Sequence, residues 1–231
     1  ITGSTITQEG YPIGMIYGYE ADGIYQTQEE IDNGPTQFGT ILPGYVKYKN
    51  QNPEEDNVID EKDRVIIGDP FPRYSYGLNL GLTYKGFDVS VYFEGIGKRD
   101  VMLTQDLVQP LNNNGNISKW YLEHAWSETN TGAKYPLIST LGQANNYAAS
   151  SQWVFDASYF RLRNLTVGYS VPQSWIKNKV LNNLRVYFSG ANLFTTSNLP
   201  DGIDPMTKND NNGGDIYPFT STYTFGFELK F

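Results

Sequence analysis

Apolar and polar positions alternate strictly along several stretches of this chain. From Tyr74 to Tyr84, the residues Tyr74, Tyr76, Leu78, Leu80, Leu82 and Tyr84 fall on one face, and Ser75, Gly77, Asn79, Gly81 and Thr83 on the other. This is the period of a β-strand with two unlike faces. A short Lys85-Gly86 turn leads to Phe87, Val89, Val91 and Phe93 alternating with Asp88, Ser90, Tyr92 and Glu94, so the pair predicts a tight hairpin. Leu184, Val186 and Phe188 alternate with Arg185, Tyr187 and Ser189, and the last ten residues put Tyr223, Phe225, Phe227, Leu229 and Phe231 on one face. In a fifth strand Phe160 and Leu162 hold one phase and Leu165, Val167, Tyr169 and Val171 the other. That one-residue slip near Arg163-Asn164 predicts a β-bulge, and Pro172 ends the strand.

Strands that cross a bilayer need about 9–11 residues, whereas strands of soluble proteins average about 5–6. The polar face of the Tyr74 strand is Ser, Gly, Asn and Thr, suited to a watery lumen, and its aromatics sit at the strand ends, as in the girdles of outer-membrane barrels. Residues 20 to 72, 98 to 152 and 195 to 221 are long polar stretches, uncommon in compact soluble domains but routine on the extracellular side of such barrels. The pattern predicts an all-β protein: antiparallel strands of a transmembrane β-barrel with long extracellular loops. A soluble secreted β-sandwich, for instance a carbohydrate-binding module, alternates in the same way and stands as the alternative, with a passive porin as a third reading. The chain divides into a loop-rich segment, 1–72, and the barrel strands with their loops, 73–231. A short helix is expected near Ser118–Trp126 with Ser118 as its cap, and the Asn runs at 112–114 and 209–212 read as loop tips.

Composition sharpens this. There are 18 Tyr, 12 Phe, 4 Trp and 23 Gly with a negative mean hydropathy, an aromatic-rich and helix-poor profile. The formal charge of −8 leaves no basic surface to neutralise phosphates, which argues against nucleic acid as a partner. Cysteine is absent, which removes thiol catalysis, disulfides and thiolate metal sites. No apolar run reaches the ~20 residues of a spanning helix, yet a closed barrel satisfies the backbone in lipid equally well. The chain begins with neither an initiator Met nor a signal peptide and reads as a piece of something longer.

Candidate chemistry is sparse. The Asp-rich loop at 50–63 offers oxygen ligands at Asn50, Asn52, Asp56, Asp60 and Asp63, a set that suits Ca²⁺, although Asn57 stands where an EF-hand has its turn-making Gly; the plainer reading is a solvated acidic loop. His124, the only histidine, has no sequence-near partner for a triad or a zinc site, and no carboxylate pair stands out for hydrolysis, so no catalytic residue is assigned. Trp120, Trp126, Tyr135, Tyr147 and Trp153 present flat apolar faces that suit stacking on cargo or a lid protein, or packing of the loops on one another. Inward residues such as Asn79, Arg185 and Tyr187 are expected to line the lumen.

The stretch from Trp153 to Pro172, WVFDASYFRLRNLTVGYSVP, closely resembles a signature of the SusC/RagA family of TonB-dependent outer-membrane transporters. In the same order as in that family lie Tyr11-Pro12-Ile13-Gly14, Asp22-Gly23-Ile24-Tyr25-Gln26, Asp63 to Gly68, Ala133 to Pro136, Gly190 to Phe194 and Gly202-Ile203-Asp204-Pro205, so the resemblance covers essentially the whole chain. It departs from the family at Asn57, with a lengthened acidic loop, and at Met206. The resemblance implies the C-terminal strands of a plugged barrel of about 22 strands in the outer membrane of a Gram-negative bacterium, in contact with its lipid. It further implies import of glycans or oligopeptides, a SusD-like surface lipoprotein as lid, energy from the TonB complex, no enzyme activity, and a C-terminal assembly signal at Phe227, Leu229 and Phe231.

Overall fold

The computed structural model describes residues 3–112, 115–141, 143–176, 181–206 and 219–231. Of the Asn runs, residues 113–114 and 209–212 lie outside the described residues. In chain order the strands are β1 (Thr5–Ile6), β2 (Met15–Tyr19), β3 (Ala21–Ile24), β4 (Val46–Tyr48), β5 (Arg64–Gly68), β6 (Tyr74–Tyr84), β7 (Phe87–Gly97), β8 (Asp100–Met102), β9 (Val154–Asp156), β10 (Tyr159–Ser170), β11 (Asn183–Ser197) and β12 (Thr222–Lys230). The helices are short: α1 (Gln28–Asn33), α2 (Lys119–His124) and α3 (Gln143–Asn146). Among the described residues no helix is long and apolar enough to cross a membrane.

The chain forms two compact units that interleave along the sequence. One comprises Ile1–Phe71, Asp100–Asp156 and Met206–Ile216, the other Pro72–Arg99, Ala157–Pro205 and Tyr217–Phe231. The second unit is a five-stranded antiparallel sheet in the order β12-β11-β10-β7-β6. It is open rather than closed into a barrel, with β6 and β12 at its edges. Each alternating run identified in the sequence is one of its strands.

The registers place the apolar rows side by side. Leu80 pairs Val91, Val91 pairs Leu165, Leu165 pairs Gly190, and Gly190 pairs Tyr223. One face is therefore apolar across all five strands and the other polar. No large apolar side chain on that face is buried; at the edges Leu82 is 66% and Phe225 81% exposed. Such a surface is far larger than a soluble monomer tolerates in water and matches the lipid-facing band of a membrane barrel.

The β6–β7 hairpin turns on Lys85 and Gly86, with φ of 49° and 88°. Positive φ at both positions is the type I′ geometry that matches strand twist, and a Cβ on Gly86 would come within 2.9 Å of the Ser170 carbonyl oxygen. The short turn and the Ser170 end of β10 lie at one end of the sheet. The long connections after β7 and β11 leave from the other.

The bulge is present: β10 shifts register between Leu162 and Asn164 against both neighbours. Across that step β7 advances one residue, from Phe93 to Tyr92, and β10 two, while β11 spends three, from Phe194 to Ala191. The extra residue of β11 is absorbed at Asn192, whose φ is +52°.

The first unit is not the irregular loop that its composition suggests. Tyr25, Tyr45, Tyr48, Ile16, Val46, Tyr121 and Trp153 are all buried in it, and short sheets β1-β2-β5, β3-β4 and β8-β9 frame them. Helix α2 forms where expected, but Ser118 at its N-cap position makes no side-chain cap; the helix is held instead by burial of Tyr121.

If the apolar face meets lipid, its two sides will respond unequally to charge. In the full-length protein folded into lipid vesicles, Leu80→Arg on the apolar face should cost about 2–4 kcal/mol, whereas Asn79→Arg on the polar face should cost under about 1 kcal/mol. Urea unfolding followed by electrophoretic mobility of unheated samples reads the difference, and equal costs would contradict the assignment of faces.

Candidate lumen face and loop core

The polar face of the five-stranded sheet carries three charged groupings set by register. Toward the short-turn end, Arg185 on β11 donates to both oxygens of Asp88 on β7, from Nε at 2.9 Å and Nη2 at 2.6 Å, and its Nη1 lies 3.9 Å from Glu228 on β12. β10 stands between the partners, and the guanidinium crosses it at Gly168, where any Cβ would sit 2.5 Å from Arg185 Nη2. The ring of Tyr187 lies 5.1 Å beneath the guanidinium. Further along, Arg163 Nη1 reaches Glu94 Oε1 at 3.4 Å.

At the long-loop end, Arg161 is fully buried. Its Nε donates to Thr195 Oγ1 at 2.9 Å and its Nη2 to Asp204, and the rings of Tyr159 and Phe219 each lie 5.3 Å from the guanidinium carbon. Arg99 Nη1 donates to the Pro205 carbonyl at 2.8 Å. The Gly202-Ile203-Asp204-Pro205 segment is thereby pinned to the strand ends by two arginines. Beside it opens a cavity of about 520 Å³ lined by Arg161, Asn192, Thr195, Ser197, Asp201 and Phe219 among others, within the range of ligand pockets.

The expected lumen residues fall as the alternation requires. Asn79, Arg185 and Tyr187 share the polar face, while Phe227 and Leu229 on β12 are on the apolar face, with Phe231 just beyond the strand, 76% exposed.

The loop aromatics belong to the first unit and pack on one another. Trp153, 1% exposed, stacks on Tyr135 at 5.9 Å with planes 6° apart and on Tyr147 at 5.8 Å, and Trp120 meets Tyr135 edge-on at 5.0 Å. Trp126 is buried and donates from Nε1 to Gln26 Oε1 at 2.9 Å. Trp120 and Tyr147 are half-buried. Burial pushes the Tyr147 hydroxyl up to about 12 and raises that of Tyr121, 3.2 Å from it, further still. His124 Nδ1 donates to the Trp120 carbonyl oxygen at 2.8 Å, and the side chain is exposed.

Three buried amides escaped the sequence reading. Gln37 Nε2 and Asn145 Nδ2 both donate to the Val46 carbonyl, at 3.0 and 2.9 Å, Asn146 Oδ1 accepts from the Val46 N–H at 3.0 Å, and Gln37 Oε1 accepts from the Tyr48 N–H at 2.6 Å. Side chains thus take the place of a neighbouring strand along β4, which satisfies buried backbone groups that would otherwise be costly.

Calcium in the 50–63 loop finds no support among the described residues. Asp63, fully buried, accepts the N–H of Gln51 at 2.7 Å on Oδ1 and that of Asp60 at 2.8 Å on Oδ2. Asn50, Asp56 and Asp60 likewise accept from the backbone of Asn52, Val58 and Lys62. Asn52 Oδ1 is buried without a partner, but one amide oxygen is far from the 6–8 ligands that Ca²⁺ takes. Among the described residues no three acidic or histidine groups come together as a metal site; the acidic side chains fold the loop instead.

Two outcomes follow from this geometry. Arg161→Ala leaves Asp204 without its buried partner and should destabilise the full-length protein by about 3–5 kcal/mol, with new protease cleavage between Leu199 and Pro205. In alkali, the aromatic cluster favours neutral tyrosine, so its contribution is complete below the ordinary tyrosine value of 10 and falls as pH rises from 10 through about 12. Tyrosinate absorbance of the intact protein should show this delayed ionisation, and Tyr147→Phe should remove part of it.

No family model matches the chain. It is 35% identical to TonB-dependent receptor P3 of Formosa agariphila over 237 residues, covering 98% of this chain and 23% of that protein. Over 216 residues it is 27% identical to TonB-dependent receptor SusC of Bacteroides thetaiotaomicron, covering 93% and 20%. Among solved structures, the RagAB peptide importer in its open-open state superposes with a TM-score of 0.70 at 25% identity, covering all of this chain and 24% of that one. The chain spans about a quarter of the length of the relatives it matches.

Proposed function

Because this chain is a segment of the SusC/RagA-like family of TonB-dependent transporters, proteins of the Gram-negative outer membrane, we propose that it forms part of an importer of large nutrients, glycans or oligopeptides, with a SusD-like surface lipoprotein as lid and the TonB complex as energy source. The observation that carries the reading is the five-stranded sheet itself: an apolar face continuous across every strand, a polar face with charges, and long connections confined to one end. A passive porin shares all three features, but the relatives of this sequence are TonB-dependent receptors, and one structural neighbour is a peptide importer. The same relatives are receptors and transporters rather than enzymes, which supports transport over catalysis.

In this reading the polar face lines the lumen and the aromatic unit belongs to the loops that meet cargo and lid. Trp126, Tyr135 and Trp153 serve as its rigid frame, since they are buried, and Trp120 and Tyr147 retain open edges for contact. Phe227, Leu229 and Phe231 act as the assembly signal, and their strand supplies an edge that lipid does not leave unpaired.

The full-length protein, affinity-purified from detergent-solubilised outer membranes, should bring down a SusD-like lipoprotein in equimolar amount, and cargo uptake by the cells should stop when TonB is removed. Uptake unaffected by loss of TonB would favour the porin, and recovery of the protein from the soluble fraction would sink the transporter reading altogether.

A further inference from the structure

At the short-turn end, the last apolar row that spans all five strands runs Tyr84, Phe87, Tyr169, Val186, Phe227. Four of these five are aromatic, as in the girdle that marks a membrane interface, and Val186 alone is aliphatic. Where the row is interrupted the surface is hollow: a groove of about 340 Å³ is lined by Val167 and Tyr169 on β10, Val186 and Phe188 on β11 and Phe225 on β12. All five side chains belong to the apolar face. Ring contacts hold its walls apart, since Tyr169 packs on Phe87 at 4.6 Å and Phe225 on Phe188 at 5.1 Å.

An apolar hollow that stays empty forfeits the dispersion contacts of its lining, and on a face turned to the bilayer the available filling is hydrocarbon. The rings of Phe225 and Phe227, 81% and 70% exposed, project beside the groove, so the surface is ridged; a flexible acyl chain follows such a contour, whereas a rigid second barrel meets it poorly. Short turns lie on the periplasmic side of outer-membrane barrels, which sets the groove in the periplasmic leaflet. Tyr169, and Trp175 in the connection from β10 to β11, 70% exposed, have the amphipathic rings that favour the headgroup level. We propose that the groove at Val186 is a binding slot for one acyl chain of a phospholipid of that leaflet. The proposal rests on the membrane assignment and is independent of the cargo.

Phenylalanine is the informative substitution, because it fills the groove while completing an aromatic row that the interface favours. The full-length protein is folded into vesicles of phosphatidylethanolamine and phosphatidylglycerol that contain a trace of phosphatidylethanolamine with a diazirine in its acyl chain, then irradiated. Peptide mapping compares labelling around Val186 with labelling of Leu78 to Leu82 on the same face. The expected result is an excess of about fivefold at Val186, lost in Val186→Phe and kept in Val186→Ala, with folding of both variants checked by the mobility of unheated samples. Equal labelling of the two segments in the parent is enough to overturn the slot, as is an excess that survives Val186→Phe. Labelling at Val186 below that of β6, together with a particle mass that falls in Val186→Phe, gives the groove to a second copy of the protein and overturns the lipid assignment. A protein that stays folded and dispersed without detergent or lipid removes the slot and the transporter reading together.

Discussion

The bilayer offers no water to an unpaired peptide group, and the rest of the second unit follows from that. Pairing must run without a break from strand to strand, which makes neighbours' registers interdependent and leaves side chains only two directions. A strand that slipped by one residue would carry its apolar set into the lumen and its charges into lipid. The bulges show the constraint at work. Apolar residues of β10 change phase between Leu162 and Leu165, and the extra residue Arg163 restores both halves to the same face. β11 gains yet another residue at Asn192, so relative to β7 its excess is two, and Phe194 returns to the even phase of Leu184, Val186 and Phe188, with Leu193 interrupting it.

That arithmetic explains what could be read beforehand. One extra residue inverts a binary pattern and is visible in the sequence of β10; two restore it, and past the kink at Asn192 β11 resumes its earlier phase at Phe194, with only the adjacent Leu193 to mark the step. The limits of β6 and the hairpin were legible for the same reason, being written in period two and in a Lys-Gly turn, whereas β11 runs on to Ser197, past the alternation of Leu184 to Ser189. The charge pairs were not. Alternation places Asp88, Arg185 and Glu228 on the polar face, but their meeting depends on strand order, β11 reaching β7 across β10, and on the missing Cβ of Gly168 between them.

In the first unit composition itself misled. Asn, Gln, Gly and Pro between strands are the signature of irregular loop, yet Gln37, Asn145 and Asn146 are buried and hydrogen-bonded to β4. An amide side chain carries the same donor and acceptor as a peptide group and completes a sheet edge as a strand would. The acidic loop behaves alike: carboxylates that resemble a cation's ligands are consumed by the loop's own N–H groups. Polar composition thus says that hydrogen bonds will be made, not with whom.

Arg161 joins these themes at one residue. A guanidinium removed from water is costly unless charge and hydrogen bonds are returned to it, and here Thr195 returns a bond from β11 and Asp204 a charge from the loop that follows. Through these two partners the buried arginine ties the loop to the strand ends. Strand β10 supplies the charge because its register places Arg161 inward, opposite Thr195. Register in the membrane sheet therefore determines the position of a loop beyond it, and the cavity beside Asn192 inherits its shape from the same hydrogen-bond ladder that satisfies the backbone in lipid.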